Sequence, residues 1–143
     1  MTTKSLLALG AAAAMLGSIS TQAQAPAGAV DFEKDVLPIF KQNCFKCHEK
    51  EHTDDKGKVK KPKGKFRMDS AAALTKGGEE GSNIVAGDAA KSTVYTSVCL
   101  PEADEKAMPP EGKGDRLTAA QQEIIKKWIT EGAKFGAWTG VAD

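Results

Sequence analysis

Two cysteines three positions apart, with a histidine directly after the second, form the pentapeptide Cys44-Phe45-Lys46-Cys47-His48. That spacing is the attachment site for c-type haem. The two thiols add to the two vinyl groups of haem as thioethers, and the adjacent imidazole is placed at the iron as its proximal ligand. A single helical turn brings all three side chains to one haem, so one covalently attached haem c is expected. Rival readings lack context. A thioredoxin-like redox pair belongs in a βαβ unit, and no such pattern is present. A zinc site needs a second Cys/His pair at suitable spacing, which Cys99 and His52 do not form.

The N-terminus reads as a targeting segment. Lys4 gives a positive start, Leu6 to Ile19 is an apolar run, and Thr21 to Ala25 supplies small residues at cleavage spacing. Residues 1–25 are expected to be a secretory signal peptide, cut after Ala23, Ala25 or Ala27. A retained membrane anchor is the weaker alternative, because the run is shorter than the roughly 18–20 residues of a transmembrane helix. No cysteine precedes Cys44 to carry a lipid. The expected mature form is soluble, not membrane-spanning, and periplasmic or otherwise extracytoplasmic. Export suits c-type haem, which is attached after translocation.

Removing 25 of the 143 residues leaves 118, with no formal net charge. That balance argues against a general nucleic-acid binder, which needs a basic excess. Three cysteines are too few for a disulfide-stapled mini-domain. The 118 residues hold 23 Leu, Ile, Val, Phe and Met, a thin core that a large apolar cofactor would help fill.

Residues 26–30 read as a linker and residues 31–138 as one domain. Phe32, Val36, Ile39 and Phe40 fall at helical spacing. Pro38 requires either that Asp35 cap the helix or that the helix kink. Glu49 to Lys65 is polar and broken by Gly57, Pro62 and Gly64, so a surface loop is expected. Asp69 is the expected cap of a short helix, Ser70 to Lys76, and Asp88 of another, Ala89 to Cys99. Thr118 and Gln121 form a capping box ahead of a stripe through Ile124, Ile125, Trp128 and Ile129, ended by Gly132. No segment alternates at period two for long enough to demand a sheet. The expected fold class is all-α.

A mono-haem cytochrome usually has a second axial ligand, for which the candidates are His52, Met68 and Met108. His52 lies four residues after His48, on the proximal side, and reads as a solvated loop histidine. Met68 has the ordinary fate of methionine, a core residue. Met108 precedes Pro109-Pro110, in a stiff non-helical loop able to hold a thioether over a haem. A methionine opposite histidine raises the reduction potential and fills the open site. Met108 is the expected ligand and Met68 the alternative.

Several stretches resemble the planctomycete-type cytochrome c domain family. They are Asp31-Phe32-Glu33-Lys34-Asp35-Val36-Leu37-Pro38-Ile39-Phe40 running into the haem motif, Met68-Asp69-Ser70, Lys76-Gly77-Gly78, Ile84-Val85 with Gly87-Asp88, Leu100-Pro101 leading to Met108-Pro109-Pro110, and Leu117-Thr118 through Trp128-Ile129 to Glu131-Gly132-Ala133. The resemblance covers about residues 31–134. It implies a class I cytochrome c-like helical domain wrapped around one covalently bound haem. It further implies Cys44 and Cys47 as attachment points, His48 and Met108 as iron ligands, and electron transfer as the role. The Lys-rich stretch before Phe66 is longer than the family's usual link.

Electron transfer between redox partner proteins is thus the expected function, and not enzymatic catalysis. A haem enzyme or gas-binding protein needs an open iron site, against which Met108 argues. A surface interaction module with structural haem is the third class. Lys56, Lys58, Lys60, Lys61, Lys63, Lys65 and Arg67 form either a docking patch for an acidic partner or, the favoured reading, a solvated loop. Cys99 is expected to pack as a small buried side chain. Trp128 is expected to pack against Phe32, Val36 and Phe40.

Overall fold

The computed structural model describes residues 28–141; the expected signal peptide and the first two linker residues lie outside the described residues. Asp31 caps the first turn, its carboxylate accepting from the Lys34 N–H at 3.0 Å. Phe32–Val36 is a π-helical turn that runs into α1, Leu37–Asn43, with Pro38 in its first turn. Pro38 has no N–H for the carbonyl four residues back. The wider turn before it, closed by the Leu37 N–H on the Phe32 carbonyl, absorbs that mismatch. The cap is therefore Asp31 and not Asp35. Cys44 breaks the helix at φ −120°, and a single turn, α2 (Phe45–His48), follows.

The all-α expectation is corrected here. His52–Thr53 (β1) pairs antiparallel with Val59–Lys60 (β2). Asp54 makes the hairpin, its Oδ1 accepting from the Lys56 and Lys58 N–H groups at 3.1 and 2.9 Å, and Gly57 takes the left-handed φ of +73° that the reversal needs. A second antiparallel contact joins Ser70 to Gly140. With helices this short, the domain is a small mixed α/β fold. Each strand has two residues, too few for an alternation to show in the sequence. Of the lysines read as a loop, Lys56, Lys58 and Lys60 lie on this hairpin, where Lys60 pairs with Asp54; Lys61 just beyond it pairs with Glu51, and Lys63 and Lys65 lie in a 3₁₀ turn.

The remaining helices are α3 (Ala71–Lys76), α4 (Thr93–Cys99) and α5 (Ala119–Thr130). Ser70, not Asp69, caps α3, its hydroxyl accepting from the Ala73 N–H. Asp88 caps only a 3₁₀ turn, Ala89–Lys91. The fully buried Ser92 then interrupts the run, because its hydroxyl is bonded to the main chain of Val85 and Asp88. α5 carries the capping box of Thr118 and Gln121.

The core lies between α5 and the N-terminal segment. Trp128 meets Phe32 at 5.2 Å and Phe40 at 5.9 Å between ring centroids, as its helical register predicts. Phe135 and Trp138 complete the cluster, each about 5 Å from Phe32. The chain then turns back, and Thr139 to Val141 run beside Asp69 to Ala71, with the Val141 N–H on the Asp69 carbonyl at 2.9 Å. Cys99 is exposed, contrary to expectation: α4 turns Val94 and Val98 inward, and the next position faces out.

Candidate cofactor-binding site

One wall of the site is the α2 turn and the chain that braces it. The His48 N–H reaches back to the Cys44 carbonyl at 3.0 Å, so that Cys44, Cys47 and His48 share one turn. Phe66 to Asp69 runs alongside. His48 Nδ1 donates to the Phe66 carbonyl at 3.1 Å, and the Met68 N–H donates to the His48 carbonyl at 2.6 Å. A carbonyl only accepts, so in the neutral ring the proton sits on Nδ1 and the lone pair on Nε2. This is the arrangement in which a backbone carbonyl orients a metal-binding imidazole. Burial lowers the pKa of His48, against the opposing pull of the Phe66 and Lys63 carbonyls, so the ring is neutral at pH 7. Gly78 lies under the same segment. A Cβ there would meet the Gly64 carbonyl oxygen and Phe66 Cβ, both at 2.8 Å.

Asp69 anchors the brace. It is 2% exposed, and its carboxylate takes Arg67 Nε and Nη2 at 3.0 and 2.9 Å and the Lys50 N–H at 2.9 Å. Burial alone would raise its pKa; the Arg67 and Lys50 hydrogen bonds outweigh that and hold it below the usual value.

The other wall carries Met108. Its N–H donates to the Ser97 carbonyl in α4 at 3.0 Å, and its carbonyl accepts from Arg116 Nη1 at 2.8 Å. Between the walls is an apolar cleft of about 660 Å³. Cys44, Cys47, His48, Met68 and Met108 all line it, with Phe40, Val98 and Ile125 among the apolar lining residues. His52 is not among the lining residues; it sits in β1 near Glu49. The cleft thus brings together every expected site residue, and the alternative Met68 with them.

The residues fit a haem. Ligand pockets typically span roughly 300–1,000 Å³ and are mostly apolar with a few directed polar groups, and this cleft is of that kind. Both motif cysteines are free thiols. Burial, reinforced by neighbouring Cys47, pushes the Cys44 pKa up to about 12, so Cys44 stays a protonated thiol. Among the described residues no group of three or more His, Cys, Asp or Glu could hold a metal ion.

The family model described as Planctomycete cytochrome C matches residues 44–112. Residues 44–112 belong to this family. The matched stretch begins at the first cysteine of the motif and passes Met108-Pro109-Pro110, so it spans both walls of the cleft. Residues 44–112 are therefore a cytochrome c-type domain, of the kind that binds haem. No curated protein and no solved structure matches the chain. Among the described residues of this cytochrome, no helix is long and apolar enough to cross a membrane.

Sequence reasoning missed two parts of the cytochrome's site. The carbonyl that orients His48 belongs to the main chain of Phe66, and a backbone group leaves no mark in a sequence. Arg116 stands in a polar loop, where nothing in the neighbouring residues distinguishes it from the surface lysines.

Proposed function

We propose that this cytochrome is an exported mono-haem electron carrier, passing single electrons between redox partner proteins through a His/Met-ligated iron. The observation that carries the reading is the shared cleft. His48 and Met108, brought by separate segments, line one space together with Cys44 and Cys47. Haem, when bound, supplies an iron that takes up and releases one electron. The chain's residues would hold the haem. Cys44 and Cys47 would tether the group as thioethers. His48, oriented by the Phe66 carbonyl, would offer its Nε2 lone pair to the iron. Met108 would offer its thioether as the second protein ligand, which would favour the reduced state and exclude exogenous ligands. Met68 is disfavoured for that role because its own N–H is bonded to the His48 carbonyl, which places it in the proximal wall. Cytochrome c domains are generally electron carriers and not enzymes, and typically exported. The Lys4 to Ala25 pattern supports export of this chain.

The test joins mass and spectrum. Protein made with a working cytochrome c maturation system should carry the added mass of one haem, retained through acid and organic extraction. Its ferric spectrum should show the weak charge-transfer band of methionine ligation. Met108→Ala should lose that band, lower the reduction potential and bind carbon monoxide when reduced, whereas Met68→Ala should keep band and potential. A haem-free mass, or the two methionine variants exchanging these behaviours, refutes the reading.

A further inference from the structure

Arg116 uses its guanidinium in an unusual way. Nη1 donates to the carbonyls of Met108 and Pro109 at 2.8 and 3.2 Å. Nη2 donates to the carbonyl of Val98 at 3.1 Å and to that of Leu100. All four Nη hydrogens are thus given to main-chain oxygens. Among the described residues no carboxylate forms an ion pair with Arg116. Two of the acceptors end α4, before the loop, and two belong to the loop's Met108-Pro109 step. Arg116 therefore ties the loop to the helix it leaves, at the residue that faces the cleft. The Ser97 carbonyl holds the other side of the same Met108 peptide, so the backbone of Met108 is fixed through both N–H and C=O.

We infer that Arg116 is the positioning residue for Met108: its four-carbonyl clamp keeps the thioether in the cleft against competing ligands. The inference rests on the reading of Met108 as an axial ligand. A planar guanidinium with two donors on each terminal nitrogen suits two pairs of carbonyls; an ammonium has three donors and no such fork. Lysine at this position retains the charge but cannot make the four bonds. That separates a geometric role from a merely electrostatic one.

The experiment compares holoprotein of wild type, Arg116→Lys, Arg116→Gln and Met108→Ala by ferric spectrum and by titration with imidazole, with far-UV circular dichroism to confirm folding. Freeing the loop raises the fraction of molecules with an open iron, and apparent imidazole affinity rises with that fraction. Arg116→Gln should bind imidazole more tightly by on the order of tenfold, with a weakened charge-transfer band. Arg116→Lys should shift in the same direction by a smaller factor; should Arg116→Gln fail to fold, this variant decides the matter. The inference is overturned if folded Arg116 variants keep the wild-type band and imidazole affinity. It is likewise overturned if Arg116→Lys matches wild type while Arg116→Gln alone changes, which would leave charge as the whole effect. A different result identifies failure of the underlying reading: wild type lacking the band and binding imidazole no more weakly than Met108→Ala removes the ligand assignment, and the inference with it.

Discussion

Asp69 shows how one residue can serve a site without touching the cofactor space. Its carboxylate is buried, and it ties the Lys50 N–H, just beyond the haem motif, to Arg67 in the bracing segment. Asp69→Asn keeps the shape but loses charge-assisted hydrogen bonds, which should cost about 2 kcal/mol at neutral pH. Since the folded-state pKa is depressed, the stabilisation is fully present above the unfolded carboxylate value of ~3.9 and is lost as pH falls through the lower folded value. Urea unfolding should show the gap between wild type and variant constant from pH 7 down to about 5, then closing in stronger acid. The sequence invited a cap role for Asp69, and the error is instructive. Asp and Ser both cap helices, they stand side by side here, and only the position of Arg67 and Lys50 assigns the carboxylate elsewhere. Cys44, Cys47, His48 and Met108, which all line the cleft, stand out in the sequence because each belongs to a contiguous pattern. Arg116 does not, because its partners are carbonyls up to 18 positions away.

At the level of elements, α5 was the most readable. Its capping box, apolar stripe and terminal glycine are local signals, and the structure realises all three. Thr118→Ala should lower stability by about 1 kcal/mol, whereas Trp128→Ala, which empties the aromatic cluster, should cost about 3–5 kcal/mol. Chemical denaturation of the two variants separates the cap from the core. The ribbon β1–β2 was the least readable element. Its residues are polar and its strands minimal, so its pairing depends on the Asp54 turn and not on a buried face. The break between the turn at Ala89–Lys91 and α4 was hidden for a similar reason, since Ser92 is compatible with a helix until its hydroxyl finds Val85 and Asp88. Both departures came where short polar side chains bond to nearby backbone and so compete with regular structure.

For the molecule as a whole, the thin apolar inventory and the wide cleft are two sides of one design. Phe40, Val98 and Ile125 face a space that the chain does not fill by itself. A double variant lacking both attachment thiols, Cys44→Ala/Cys47→Ala, made without haem should melt lower than the haem-loaded protein by about 10 °C, the shift expected of ~2 kcal/mol in a domain of this size. Differential scanning calorimetry of both forms checks this; equal melting temperatures would show that the cleft needs no filling. The packing of Phe32 and Phe40 on Trp128 has a temporal side as well. That contact joins the two ends of the domain, and contacts between distant parts of a chain form late, after the entropy of closing the intervening loop is overcome. A chain that emerges from its N-terminus presents Cys44, Cys47 and His48 long before α5 exists to pack on Phe32 and Phe40. The clasp between the two ends closes last, and the haem motif is on the chain for the whole of that delay.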